Sequence, residues 1–164
     1  MKLQKIAPCL WFDQQAEDAA RFYTSIFSNS RIVNTTHYGE AGHEIHGQPA
    51  GRVLTVEFEL DGQSFTALNG GPLFHFSEAI SLQIFCEDQA EIDYFWEKLS
   101  AGGDQNAQQC GWLKDKFGLS WQVTPAEMSE LLSSGDDEKS ERVMTALLQM
   151  KKLDIAQLKQ AYTG

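Results

Sequence analysis

Residues 52–69, RVLTVEFELDGQSFTALN, decide how the chain is read. From Arg52 to Leu60 the alternation is nearly strict. Leu54, Val56, Phe58 and Leu60 fall on one face, and Thr55, Glu57 and Glu59 on the other, with Val53 the one apolar exception. A period of two is the mark of a strand with one buried side. Asp61-Gly62 is a strong hairpin signal and leads into a second strand at 63–69.

Working back from this hairpin, residues 5–12 (KIAPCLWF) predict a strand, and Asp13 a cap for the following helix. Ala16, Ala19, Ala20, Tyr23 and Phe27 recur at helical spacing. Residues 31–38 are extended in character, and 39–51 form a Gly/His-rich loop. The first seventy residues thus read β-α-β-β-β. After Gly70-Gly71-Pro72 the order recurs: a strand-like run at 79–86, then a helix begun by Asp88-Gln89-Ala90-Glu91 and ended by Gly102-Gly103, then extended stretches at 112–117 and 119–124. Thr124-Pro125-Ala126-Glu127 predicts a helix start with proline in its first turn. Two further helices are expected over 138–150, with Val143, Met144, Leu147 and Leu148 on its stripe, and from Asp154 to near Tyr162.

The expected fold class is therefore α+β: paired βαβββ modules with a C-terminal helical extension. Residues 1–124 would form the duplicated domain, in halves of about 1–70 and 79–124, with 125–164 the extension. The 164 residues are enough for a sizeable core, and 42% hydrophobic with 22% charged residues excludes disordered and fibrous classes. Thirteen basic against twenty-three acidic residues give a net charge of −10, which argues against nucleic acid as a partner. No apolar run is long enough to span a membrane, and the first residues do not read as a signal peptide, so the expectation is a cytoplasmic protein. Cys9, Cys86 and Cys110, an odd count without a CxxC pair, fit reduced thiols.

Phe22-Tyr23 in the first helix and Asp115-Lys-Phe-Gly118-Leu-Ser-Trp-Gln122 resemble the vicinal oxygen chelate superfamily, which includes glyoxalase I, bleomycin-resistance proteins and extradiol dioxygenases. Leu68-Asn69-Gly70-Gly71-Pro72, Glu78-Ala79-Ile80-Ser81 and Cys110-Gly111-Trp112-Leu113-Lys114-Asp115-Lys116-Phe117-Gly118 are similar to its PhnB-like branch, often labelled demethylubiquinone methyltransferase. Met150-Lys151-Lys152-Leu153-Asp154-Ile155 extends the likeness into the tail. The resemblance implies a homodimer, each half-barrel enclosing a cavity, and a divalent metal in it. Its ligand places carry over to Ile6 or Pro8, Ala67, Ser81 and Gln122. Only Gln122 could be even a weak ligand, because such metals take carboxylates or imidazoles.

Strand alternation makes Leu119, Trp121 and Val123 the helix side of the last strand and Gln122 the cavity side. Phe65, Ala67, Asn69, Ser81, Gln83, Phe85 and Gln122 are then the expected ligand-pocket residues, with no cofactor predicted and a small, partly apolar or aromatic molecule as the partner. The alternative is a metal-dependent lyase or dioxygenase with a non-standard site. His37, His43 and His46 are its candidate metal ligands, and Glu57 and His75 its weak catalytic candidates. Whether the chain is an enzyme stays open at this point. Methyl transfer is not expected, because no Gly-rich turn opening a helix of a doubly wound sheet is legible. A third reading has the tail helices docking a partner through the 143–148 stripe.

Overall fold

A computed structural model of the chain describes residues 4–133 and 135–164. The chain divides between His75 and Phe76 into two compact units.

The first unit contains β1 (Cys9–Phe12), α1 (Ala16–Ile26), β2 (Arg31–His37), the single-turn α2 (His43–His46), β3 (Val53–Leu60) and β4 (Gln63–Asn69). The sheet order is β1-β4-β3-β2, with β1 parallel to β4 and the other pairs antiparallel. Asp61 and Gly62 both adopt positive φ, 46° and 75°, as a tight hairpin whose twist matches its strands requires. The turn pairs Leu60 with Gln63, which sets Phe58 opposite Phe65 and Val56 opposite Ala67. Directly opposed residues share a face. On that face lies α1, through Ala16, Ala19, Ala20, Tyr23 and Ile26, all buried. The Tyr23 ring stacks at 6.3 Å from Phe58, and Phe58 at 5.4 Å from Phe65.

Helix α1 is not capped by Asp13. Its N-cap residue is Gln15, whose side chain makes no capping bond. The buried Asn69, at the end of β4, takes over that role from a distance. Its Oδ1 accepts from Ala16 N at 2.9 Å, and its Nδ2 donates to the Val53 carbonyl at 3.0 Å. The Tyr38 hydroxyl donates to the Asn69 carbonyl at 2.6 Å. At Gly70 the chain passes under the Trp11 ring, where a Cβ would lie 2.2 Å from it, and Trp11 Nε1 donates to the Gly71 carbonyl at 2.8 Å.

The second unit opens with β5 (Leu82–Cys86) and α3 (Gln89–Ser100), followed by a 3-10 turn (Gln105–Ala107), β6 (Trp112–Lys114) and β7 (Ser120–Pro125). The sheet order is β5-β7-β6, with β5 parallel to β7 and β6 antiparallel to it. Among the described residues this unit has no counterpart of β2; the 3-10 turn occupies that stretch of sequence. Asp88 caps α3 through Glu91 N at 2.9 Å, and Glu91 returns a bond from Glu87 N at 2.8 Å.

Asp115 closes the β6–β7 hairpin from inside the core, at 2% exposure. Its Oδ1 accepts from Phe117 N at 2.8 Å and Leu119 N at 3.1 Å, and its Oδ2 from Trp121 Nε1 at 2.8 Å. A buried carboxylate is tolerable only when its lone pairs are met in this way.

The tail consists of α4 (Met128–Leu132), α5 (Asp137–Leu147) and α6 (Ile155–Thr163). The helix expected to start at Pro125 begins at Met128 instead. Pro125 is held in β7 opposite Cys86, whose carbonyl accepts from Ala126 N at 2.8 Å. Asp136 and Asp154 cap α5 and α6, the latter through Gln157 N at 2.9 Å. Leu131, Val143, Met150, Leu153 and Leu158 form a small core, with Leu147 packed against it, while Met144 and Leu148 of the expected stripe are exposed. A strap between α5 and α6 ties this core to the rest of the unit. Cys110 N and Gly111 N donate to the carbonyls of Met150 and Lys151, both at 2.8 Å. Gln89 clasps the strap through the Leu153 carbonyl and Ile155 N, at 3.0 and 2.9 Å, and Lys152 pairs with Asp93 at 2.5 Å.

Asp115→Ala leaves two backbone amides and an indole without their acceptor, so it should cost roughly 3 kcal/mol in urea unfolding, since buried groups lose their full desolvation penalty. Asn69→Ala should cost about 1–2 kcal/mol as a lost cap. A change below about 0.5 kcal/mol, the range of ordinary surface substitutions, in either variant contradicts the structural role given to that residue.

Candidate functional site

Each sheet has one face under a helix and one face that its own unit leaves uncovered. In the second unit, Ile84, Leu113, Trp121 and Val123 are buried on the α3 side. The register places Gln83 opposite Gln122 and Gln122 opposite Trp112 on the other side, with Phe85 opposite Thr124 and Lys114 opposite Ser120. Gln122 Nε2 donates to Ser81 Oγ at 2.8 Å, and Gln83 Nε2 reaches Gln122 Oε1 at 3.4 Å. Both ends of the Gln122 amide are therefore engaged, which orients it. The Ser81 hydroxyl hydrogen and Gln83 Oε1 have no partner among the described residues, and the exposed Phe85 ring lies on the same face. The Lys114 ammonium bonds the Glu78 carboxylate on the turn ahead of β5 and holds it below the usual carboxylate range.

The first unit gives a different result. Phe65, Ala67 and Asn69 lie on the α1 side and are buried there, so three of the expected pocket residues belong to the packing of that unit. The uncovered face of its sheet carries instead the cross-strand rows Cys9–Thr66–Glu57–Asn34 and Trp11–Leu68–Thr55–Thr36. The hydroxyls of Thr36 and Thr55 lie 2.5 Å apart, and Arg31 pairs with Glu59 at 2.8 Å. Glu57 is exposed on this face. Of the carried-over ligand places, Ile6 lies exposed ahead of β1, and the Pro8 carbonyl accepts from Thr66 N at 3.0 Å.

The three histidines do not converge. His37 is exposed at the end of β2, while His43 and His46 flank the one turn of α2 with rings 6.1 Å apart. His46 packs 4.6 Å from the Tyr38 ring and accepts from Gln48 N through Nδ1 at 3.0 Å. This short helix replaces the irregular loop expected at 39–51. His75 is exposed. Among the described residues, no group of three or more His, Cys, Asp or Glu side chains is placed to hold a metal ion. The donor set around Gln122 consists of amides and a hydroxyl. It does not fit a divalent metal, which takes carboxylate or imidazole donors.

Two α/β sheets of this topology, each with a single helical cover, define a glyoxalase/bleomycin-resistance-like fold with a C-terminal helical addition. Residues 4–124 match the family model described as 3-demethylubiquinone-9 3-methyltransferase. A Bacillus cereus protein described as a 3-demethylubiquinone-9 3-methyltransferase, PhnB protein, is 38% identical, with a TM-score of 0.65 over 75% of this chain and 100% of that one. PA1353 from Pseudomonas aeruginosa shares the fold at 18% identity and TM-score 0.53, over 76% of this chain and 98% of that one. So does the fosfomycin resistance protein FosX from Listeria monocytogenes, complexed with Mn(II) and sulfate, at 15% and 0.53, over 83% of this chain and 100% of that one. No curated protein matches. The chain belongs to the PhnB-like family of the vicinal oxygen chelate superfamily. The family match stops at residue 124, short of the Met150–Ile155 strap.

Trp112, Lys114 and Glu78 were missed as members of the site region. The Trp112-Leu113-Lys114 alternation carries the signal for the first two; Glu78, 36 residues from Lys114, carries none.

Cys86 is buried at the end of β5. Burial, then the charges of Glu91 and Asp88, push its thiol up to about 12. The unfolded chain gives up this proton near the ordinary thiol value of about 8.5, so it binds fewer protons than the folded chain above that pH. Stability should therefore fall as pH rises from there toward 12, and Cys86→Ala should flatten that fall in denaturant titrations across pH. An unchanged slope in the variant contradicts the assignment.

Proposed function

We propose that this PhnB-like protein binds a small, partly apolar or aromatic molecule on the uncovered face of the β5-β7-β6 sheet, without a metal. Ser81, Gln83, Phe85 and Gln122 are its contacts. The observation that carries this reading is the amide–hydroxyl relay from Gln83 through Gln122 to Ser81, with Trp112 next to Gln122 in the same cross-strand row and Phe85 in the adjacent row. A flat apolar ligand stacks on the rings, while the unspent hydroxyl hydrogen and amide oxygen fix its orientation. Phe65, Ala67 and Asn69 drop out of the contact set because α1 buries them.

The Mn(II) described with FosX is not carried over, since neutral amides stand where a cation would need anionic or imidazole donors. Methyl transfer, which the family description names, is set aside as well. Among the described residues each sheet has one parallel pair, and Gly70-Gly71 leads into no helix; the usual methyl-donor site is built on a doubly wound parallel sheet. The reading includes a homodimer in the cytoplasm, with its three cysteines free as they are here.

A thermal-shift screen of the whole chain against small aromatic compounds and divalent metals tests this, since a ligand selective for the folded state raises Tm. An aromatic hit should bind the wild type, and Gln122→Ala should weaken it about tenfold, the effect of one lost buried hydrogen bond. Stoichiometric divalent metal in the purified protein, with binding abolished by chelation, contradicts the reading.

A further inference from the structure

The small-molecule reading of this sheet leaves the ligand's charge open, and the assignment of that charge rests on it. On the side of β5, β6 and β7 away from α3 the strands carry Gln83, Phe85, Trp112, Lys114, Gln122 and Thr124, together with the buried Ser120. Lys114 is the one charged side chain in that set. Leu113 is 1% exposed on the α3 side, so strand parity commits Lys114 to the same face as Gln122 and keeps it there. Its side chain is 23% exposed, against 62% for its partner Glu78. The asymmetry matters. The ammonium sits on a strand of a packed sheet, whereas the carboxylate sits on a turn outside any helix or strand, three residues ahead of Ser81.

A cation on a strand whose counter-charge comes from an exposed turn is built to exchange that counter-charge. We propose that Lys114 anchors the oxyanion of the ligand (a carboxylate, phosphonate or phosphate group) and that Glu78 occupies this position as an internal stand-in until the ligand displaces it. The ligand class is then a small aromatic or partly apolar acid, its ring on Phe85 and Trp112, its acid group on Lys114, and its remaining polar atoms on Ser81 and Gln83. One carboxylate replaces another at the ammonium, so the charge pair sets orientation and selects acids over neutral compounds. The rings and amides supply the net affinity. Because Glu78 competes, the measured affinity is the intrinsic one reduced by the fraction of molecules in which Lys114 is free.

Competition gives two substitutions of opposite sign. With phenylacetate, phenylphosphonate and the neutral phenylacetamide as probes, calorimetric titration of the whole chain should show both acids binding more tightly than the amide. Lys114→Gln should weaken the acids about tenfold or more and leave phenylacetamide unchanged, while Lys114→Arg retains acid binding. Glu78→Gln should tighten the acids about twofold to fivefold, the range an exposed ion pair can contribute. Matching melting temperatures confirm that the variants are folded. Acid binding that is indifferent to Lys114→Gln, weakened by Glu78→Gln, no stronger than amide binding, or absent at millimolar probe overturns the proposal. Acid binding that is indifferent to Lys114→Gln but, like phenylacetamide binding, lost in Gln122→Ala would leave the small-molecule reading standing while the anion assignment falls; failure of every probe would count against both.

Discussion

Helix α3 covers one side of three short strands, and the two-residue period of those strands settles what every side chain of the second unit can do. Once Ile84, Leu113, Trp121 and Val123 are committed to the helix, Gln83, Gln122, Trp112 and Lys114 have no other face to occupy. A slip of one residue would bury two amides and an ammonium and expose four apolar side chains. The cost of that exchange holds the register, and the register produces the row of amides and rings.

One buried polar side chain in each unit holds its sheet in place, and both lie in segments that resemble family motifs. Asp115 closes the β6–β7 hairpin and ties its turn to the Trp121 indole. Asn69 joins the end of β4 to the first turn of α1 and to β3. Asp115 spends its carboxylate on two backbone amides and an indole, and Asn69 its amide on a backbone N–H and a backbone carbonyl, so each is a structural residue. Gly70 and Gly111 serve the same ends through close approach: a Cβ would strike the Trp11 ring at the first, and the Val123 carbonyl and Leu153 at the second. Motifs that read as candidates for chemistry are here largely the means of holding the sheets. The tail takes part in this. Its strap accepts the amides of Cys110 and Gly111, which lead directly into β6, so residues beyond the family match help to fix the strand that carries Trp112 and Lys114.

Much of this was legible in the sequence. The β-α-β-β-β order, the Asp61-Gly62 turn, the Asp88 and Asp154 caps and the face of Gln122 all follow from alternation and local hydrogen-bonding chemistry. The pocket assignment in the first unit went astray by one residue of strand parity. A two-residue hairpin that pairs Leu60 with Gln63 forces Phe65 and Ala67 onto the face of Phe58 and Val56, and that face was already marked as apolar. That hairpin pairing conflicts with the ligand place that the family resemblance puts at Ala67. What the sequence could not show are long-range ties. Asn69 caps a helix 53 residues away, and Glu78 meets an ammonium 36 residues on, with no periodicity linking either pair. The start of α4 at Met128 differs from the sequence expectation for a related reason. Pro125 suits a first helical turn locally, yet parallel pairing with Cys86 keeps it in the strand.

The claim on which the account stands is that the uncovered side of the β5-β7-β6 sheet receives the ligand. A crystal structure of the chain soaked with an aromatic compound selected by thermal shift tests it most directly. The account predicts density in contact with the Gln83 and Gln122 side chains and stacked on the Phe85 or Trp112 ring. Density for a divalent ion coordinated by Gln122, or a ligand lodged beneath α1 among Phe65, Ala67 and Asn69, would contradict it.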